Sequence, residues 1–420
     1  MTRTAMSSAP FLPVPAKPPY PTREAAEEAY SRHVSAGHVS ILNSVLGFHN
    51  IHYGKRENGR VQDVYSGRWY FDCHRGGSTF NLGHLHPELV RVAKEALDHV
   101  DAGSFSQVSG YRAMLASKLA ESTGGALTGS IFGCNGGDAI EIAAHAARYF
   151  TGRHRFVAIE TGSFHGHNEF GLTVSAISGA ERKHYGIAEN GTIFVPFNDL
   201  PAMRAALAQE DVAGVIIEPT PAQSGFPTAD PDYLKGVKAA CEATGTLFIL
   251  DEVQTGMGSC GTMWSYESDG YTPDIIASGK GLGGGMFAIS AATMREDVWR
   301  KFTGRDFAPH GSTYGGSEHA CIVATRALEL TLDPAFLAHV RRLAALFADG
   351  FADAPYPVSQ RGLCLGLWTG DSRGASAALS AAGVLTIPSG VAPVLPFRPV
   401  LTISTDEAAE IITIVRRTLG

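Results

Sequence analysis

Asp251 and Lys280 are the residues of this sequence whose types, order and spacing could do chemistry together. Asp251 sits in the run Phe248-Ile-Leu-Asp-Glu-Val-Gln254, just past the carboxyl end of a strand that reads as buried. Ligands bind at that edge of an open parallel sheet. About thirty residues later, Asp274-Ile-Ile-Ala-Ser-Gly forms another short apolar strand that leads to Lys280 and the run Gly281-Leu-Gly-Gly-Gly285. A lysine placed there faces the same crevice, where its amine is a nucleophile and a proton carrier. Alone, each residue has a plainer reading, since a lysine after a strand is usually solvated and an aspartate there usually caps a helix. Their order and spacing together carry the weight.

Rigid elements must hold such a pair. Ala213 to Glu218 is continuously apolar up to its final carboxylate, as expected of a strand covered on both faces, and Thr246 to Leu250 repeats the pattern. Between them, Asp230 is expected to cap a helix with Pro231 at its first position, Leu234, Val237 and Cys241 on one face, and Gly245 at its end. From about residue 76 strands and helices alternate in this way, which predicts an α/β lobe with a mostly parallel sheet. A helix after Pro87 buries Leu89, Val92, Ala96 and Val100, and Gly136-Gly137 leads into one whose apolar face is Ile140, Ala143 and Ala146 or Ala147. Further on, Asp333-Pro334 opens a helix carrying Leu337, Val340 and Leu343, and Ser404 with Glu407 forms a capping box ahead of Ile411 and Ile414. These last helices and the N-terminal arm are assigned to a second lobe built from both chain ends. The expected division is 1–75 for the arm and part of the small domain, 76–325 for the large domain, and 326–420 for the rest of the small domain.

The bulk composition excludes several classes of function. With 420 residues and 44% hydrophobic composition the chain can bury a large core. Its 34 Lys plus Arg against 41 Asp plus Glu, a net charge of -7, leave no footprint for nucleic acid. The six cysteines lack paired metal-ligand spacing and are expected to be free thiols in a reducing cytoplasm. His84, His86 and His165 lack a zinc-type ligand set, so no metal is expected. The first 22 residues, rich in Pro, Ala and Ser, read as an extended arm rather than a signal peptide, and no segment reads as a membrane span.

Several motifs, taken in order, resemble those of the class III (ornithine and GABA type) aminotransferases, which use pyridoxal 5′-phosphate (PLP) on fold type I. The resemblance runs from Gly67 to about Ile414. Gly67-Arg-Trp-Tyr70 with Asp72, then Asn81-Leu-Gly-His-Leu-His-Pro87, looks like the family's entry to its large domain. Asn135-Gly-Gly-Asp138 occupies the phosphate loop, Ser163-Phe-His-Gly166 the ring-stacking loop, and Glu218-Pro219 a second carboxylate position. Asp251-Glu-Val-Gln-Thr-Gly256, Lys280 and His310-Gly-Ser-Thr-Tyr-Gly-Gly316 complete the set. The resemblance implies an aspartate aminotransferase-like large domain with a mostly parallel seven-stranded sheet and a smaller α+β domain. By the same resemblance Lys280 bonds the cofactor and shuttles a proton, and Asp251 pairs with the ring nitrogen. Gly136 and Gly137 would free backbone N–H groups for the phosphate, Phe164 would stack on the ring, and Gln254 would bind the phenolic oxygen. Thr313 would reach the phosphate from a partner subunit, which implies a homodimer with composite sites.

Four departures bear on the substrate. Aligning Leu401-Thr-Ile403 with the family's Pro-Pro-Leu segment puts Pro396 where an arginine grips the substrate carboxylate, with Arg398 two residues later. Phe287 and Ile289 replace a usual Pro and Gly after the glycine run, Glu218-Pro-Thr-Pro221 lacks the usual glutamine, and Gly258-Ser-Cys260 replaces Gly-Arg-Thr. The leading expectation is amino transfer between an amine and a 2-oxo acid. The amine is expected to be polyhydroxylated, such as an amino sugar or aminoglycoside of antibiotic biosynthesis, with Glu218 binding its ammonium or hydroxyl groups. The alternative at that site is Arg398 restoring the usual pair with Glu218. Alternatives for the reaction are epimerisation with Lys280 and Cys260 as the two bases, and elimination or carbon–carbon bond formation.

Overall fold

The computed structural model describes residues 18–45, 51–188, 191–304, 310–391 and 393–420. Most of the expected arm, residues 1–17, therefore lies outside the described residues. Seven strands form one sheet: β1 (Gly129–Gly133), β2 (Arg155–Ile159), β3 (Thr192–Val195), β4 (Val212–Ile217), β5 (Leu247–Asp251), β6 (Ile275–Ser278) and β7 (Ser290–Met294). Their order is β1-β7-β6-β5-β4-β2-β3. β7 alone runs against its neighbours, and the rest of the sheet is parallel. All of β4 and β5 is buried, which is why both read as uninterrupted apolar runs rather than alternating ones.

The helix between β4 and β5 runs Tyr233–Thr244 and buries Leu234, Val237 and Cys241, with Gly245 left-handed at its end. Its start departs from the expectation. Asp232 takes a left-handed φ of 63° and the Asp230 carbonyl accepts from the Tyr233 N–H, so Asp230 and Pro231 form a turn ahead of the helix. The helix Pro87–His99 buries Leu89, Ala93 and Ala96. The helix Pro334–Gly350 is capped by the Asp333 side chain, and Ser404 and Glu407 make the expected reciprocal box before Thr405–Leu419. Such caps each contribute about 1 kcal/mol.

Residues 53–72 meet the C-terminal part of the chain in one small sheet and a shared core. Strands Tyr53–Glu57, Arg60–Asp63 and Trp69–Asp72 form an antiparallel ribbon, and Val384–Leu385 joins it parallel to Trp69–Asp72. A second small sheet pairs Cys364–Leu367 with Val358–Arg361 and with Leu395–Phe397. Phe71 from the N-terminal part packs in one core with Phe347, Leu365, Phe397 and Ile411 from the C-terminal part. Among the described residues no helix is long and apolar enough to cross a membrane.

Candidate active site

Asp251 is the last residue of β5 and is 5% exposed. One of its oxygens accepts from the Val253 N–H at 3.0 Å, and the other meets His165 Nδ1 at 2.8 Å. His165 is held in turn, since its backbone N–H donates to Ser175 Oγ at 2.7 Å. No local sequence pattern marks this brace, although His165 directly follows Phe164 in Ser163-Phe-His-Gly166.

Lys280 lies two residues past the end of β6, at the first position of a short 3-10 turn, with a left-handed φ of 45°. Burial pushes its ammonium down to about 8, and the Arg398 charge acts the same way against the opposing pull of Asp251 and Glu218. A lysine so placed is partly a free amine at neutral pH.

Gly136 and Gly137 open the helix Gly136–Thr151, which Asn135 caps in a reciprocal box with Asp138. The absence of side chains there follows from close neighbours. A Cβ on Gly137 would lie 3.0 Å from both Asn135 Oδ1 and Asn168 Cγ, and one on Gly166, at φ 109°, only 2.9 Å from the Gly137 Cα. Uncapped N–H groups at such a helix start attract an anion.

Glu218 follows β4 and is 4% exposed, accepting from the Phe164 N–H at 3.1 Å and the Ala222 N–H at 3.4 Å. Burial, and then the nearby Asp251 charge, push its carboxyl up to about 7. No cation lies within ion-pair distance of it among the described residues.

Lys280, Asp251, Glu218, Gln254, Phe164 and the Gly136-Gly137 turn all line one cavity of about 650 Å³. Phe287 and Ile289, the residues that break the family's Pro and Gly, line it as well. No arginine does so among the described residues.

Three expected residues lie elsewhere. Thr313 is exposed on the loop before the helix Glu318–Leu332 and does not line the cavity of its own chain. Cys260 is also outside the lining: its thiol faces Cys364, and that contact followed by burial pushes it well above the ordinary thiol range. The expectation of Cys260 as a second base at the reacting carbon fails on this placement. Arg398 stands behind the cavity wall, fully enclosed, and donates from Nη1 to Gln254 Oε1 at 2.7 Å. It does not form the ion pair with Glu218 set out as the alternative. Among the described residues no cluster of His, Cys, Asp and Glu is arranged to hold a metal.

Comparison with known proteins places this arrangement. The family model described as aminotransferase class-III matches residues 44–419. An uncharacterized aminotransferase of Archaeoglobus fulgidus is 37% identical over 346 residues, covering 81% of this chain and 80% of that protein. An acetylornithine aminotransferase of Methanosarcina mazei is 34% identical over 352 residues, 80% of this chain and 85% of its own. Among solved structures, the ornithine aminotransferase of Toxoplasma gondii superposes with a TM-score of 0.85 at 24% identity, over 96% of each chain. A transaminase from the marine bacterium Virgibacillus also reaches 0.85, at 19% identity over 94% of this chain and 98% of its own. At such identities the two structures speak for the fold alone.

Proposed function

Because this chain belongs to the class-III aminotransferases, which are PLP-dependent, we propose that it moves an amino group from a cationic, polyhydroxylated amine to a 2-oxo acid, with Lys280 as its catalytic base. The residues present fit PLP. The glycine turn leaves N–H groups clear for a phosphate, and a carboxylate and a lysine amine line the same enclosed space. Bound PLP supplies a sink for the electron pair freed at the substrate carbon.

The chain's own groups divide the remaining work. Lys280 would hold the cofactor through its amine and, once free, would take and return the proton at the substrate carbon, which suits an amine titrating near neutrality. Asp251, braced by His165 and the Val253 N–H, holds a proton on the ring nitrogen. Phe164 fixes the ring plane and excludes water, Gly136 and Gly137 hold the phosphate, and Gln254 donates to the phenolic oxygen. Thr313 of the partner subunit completes the phosphate site in a homodimer. Supporting that assembly, Arg112 ties the Ser104 and Gln107 carbonyls to the Gly316 carbonyl, so that exposed Phe105, Val108 and Tyr314 lie on joined loops beside Thr313.

Glu218 carries the substrate reading. It is a buried carboxylate that faces the cavity with two backbone N–H groups and no cation, while Arg398 is engaged with Gln254. A buried charge without a partner is costly, and a substrate ammonium or hydroxyl relieves that cost. An amino sugar or aminoglycoside has this chemistry. Transamination is favoured over epimerisation because Cys260, facing Cys364, supplies no second base.

The test is the amine half-reaction. An aminoglycoside added alone should bleach the visible band and leave pyridoxamine phosphate, and Glu218→Gln should raise its KM about tenfold or more through the lost charge-assisted bond. If ornithine is turned over and aminoglycosides are not, or if Glu218→Gln leaves aminoglycoside kinetics unchanged, this substrate reading is wrong.

A further inference from the structure

Arg398 occupies an unusual place for a charged side chain. Its backbone N–H donates to the Cys73 carbonyl at 2.7 Å, its guanidinium lies 5.4 Å from the centre of the Phe226 ring, and only 5% of the residue is exposed. Neighbouring Arg75 is also fully enclosed and is held by the Pro399 carbonyl, Ser78, Ser259 and Cys364. Enclosing two guanidinium groups side by side is expensive unless their bonds do something a neutral side chain would not. Among the described residues the Arg398 side chain makes one hydrogen bond to another side chain, and it goes to the carbonyl oxygen of Gln254.

That bond fixes the orientation of the Gln254 amide. A free glutamine can turn its amide either way, presenting an acceptor or a donor. Here the oxygen is taken by a cation, while the Nε2 group has no partner among the described residues and Gln254 lines the cavity. The donor end is the one left without a partner among the described residues.

We propose that Arg398 is a positioning residue for the transamination, acting through Gln254. It locks the amide so that Nε2–H donates to an anionic oxygen in the cavity, and it polarises that donor with its own charge. Burial lowers the guanidinium to about 10, which leaves it charged at neutral pH. The proposal rests on the reading of Gln254 as the contact to the cofactor's phenolic oxygen. It also explains why an arginine at 398 does not act on a substrate carboxylate: the side chain is committed behind the wall.

The experiment compares holoenzymes by the position of the cofactor's visible absorption band and by the rate of the amine half-reaction. Arg398→Met is expected to move the band and to slow the half-reaction at least about tenfold, the usual consequence of losing a charge-assisted hydrogen bond. Arg398→Lys, which keeps the charge and a donor, should recover most of both. In a Gln254→Leu background the Arg398→Met change should add less than about twofold, because interacting groups are not additive. A band and rate at parent values in Arg398→Met, or the same loss with and without Gln254, overturns the proposal. If Arg398→Met does not fold, Gln254→Glu reads the same contact: it gives the guanidinium a partner but offers the cavity an oxygen in place of N–H, so parent-like behaviour there is equally fatal. Gln254→Leu alone separates the two readings. An unchanged band in that variant removes Gln254 as a cofactor contact and Arg398's role with it, whereas a shifted band that Arg398→Met shifts equally further removes Arg398 alone.

Discussion

Lys280 must lose a proton before it can bond a carbonyl, and its enclosure brings that loss down to about 8. The sign follows directly: below this value the amine is an unreactive ammonium, and above it a nucleophile. PLP uptake by the cofactor-free protein should therefore accelerate with rising pH through about 8 and level off beyond it, followed by the growth of visible absorbance. A rate independent of pH across that interval contradicts the assignment, as does borohydride-fixed PLP on any lysine in the Lys280→Ala protein. Glu218, raised to about 7, gains its negative charge as pH increases, so the KM of a cationic amine should fall as pH rises through that region and should lose the trend in Glu218→Gln. At this scale the sequence was informative where chemistry needs a fixed residue type at a fixed place, as with Lys280, Asp251 and the glycine pair. It was silent on the contacts that tune them. His165 reaches Asp251 across 86 positions and Arg398 reaches Gln254 across 144, and no local pattern encodes such meetings.

The first turn of the helix Gly136–Thr151 brings its cap next to the glycine pair proposed to hold the phosphate. Asp138 accepts from the Cys134 N–H at 2.7 Å and also receives Asn168, so the same carboxylate that caps the helix holds the loop across from the glycine pair. Asp138→Ala should lower unfolding stability by about 1–2 kcal/mol, read from thermal or denaturant unfolding. It should also release PLP faster than the parent, because the N–H groups lose their fixed direction. A stability loss without faster release means that the cap and the anion site are independent. Capping chemistry made the Ser404 helix readable, since its signal lies within four residues, whereas this helix was legible from its glycine pair and apolar face and its Asn135–Asp138 box appears only in the structure. The same rule misplaced the start after Asp230, where the backbone chose a left-handed residue at Asp232 and used a main-chain turn in place of a side-chain cap.

The described residues join a seven-stranded sheet to a four-stranded sheet that pairs residues 53–72 with Val384–Leu385 and to a three-stranded sheet from the C-terminal part. The alternation of buried strands and helices made the first legible. The pairing of Val384–Leu385 with Trp69–Asp72 was not, because two residues carry too little pattern to declare a strand. If each site borrows Thr313 from a partner, mixing an inactive Thr313 variant with Lys280→Ala should restore roughly a quarter of the parental activity after subunit exchange, the share of sites with both halves intact. No recovery under conditions where exchange is demonstrated rules out shared sites. The strand Leu395–Phe397, paired with Cys364–Leu367, buries Leu395 and Phe397 in one core, so Pro396 and, one residue beyond the strand, Arg398 fall on its opposite face. That alternation has a consequence for redesign. An arginine moved from 398 to 396 keeps the same side of the strand while the sheet keeps its register, so the swap shifts a positive charge along one face without rebuilding the core. Pro396→Arg with Arg398→Ala should raise turnover of ornithine relative to an aminoglycoside; an unchanged ratio would mean that the charge at this face does not select the substrate.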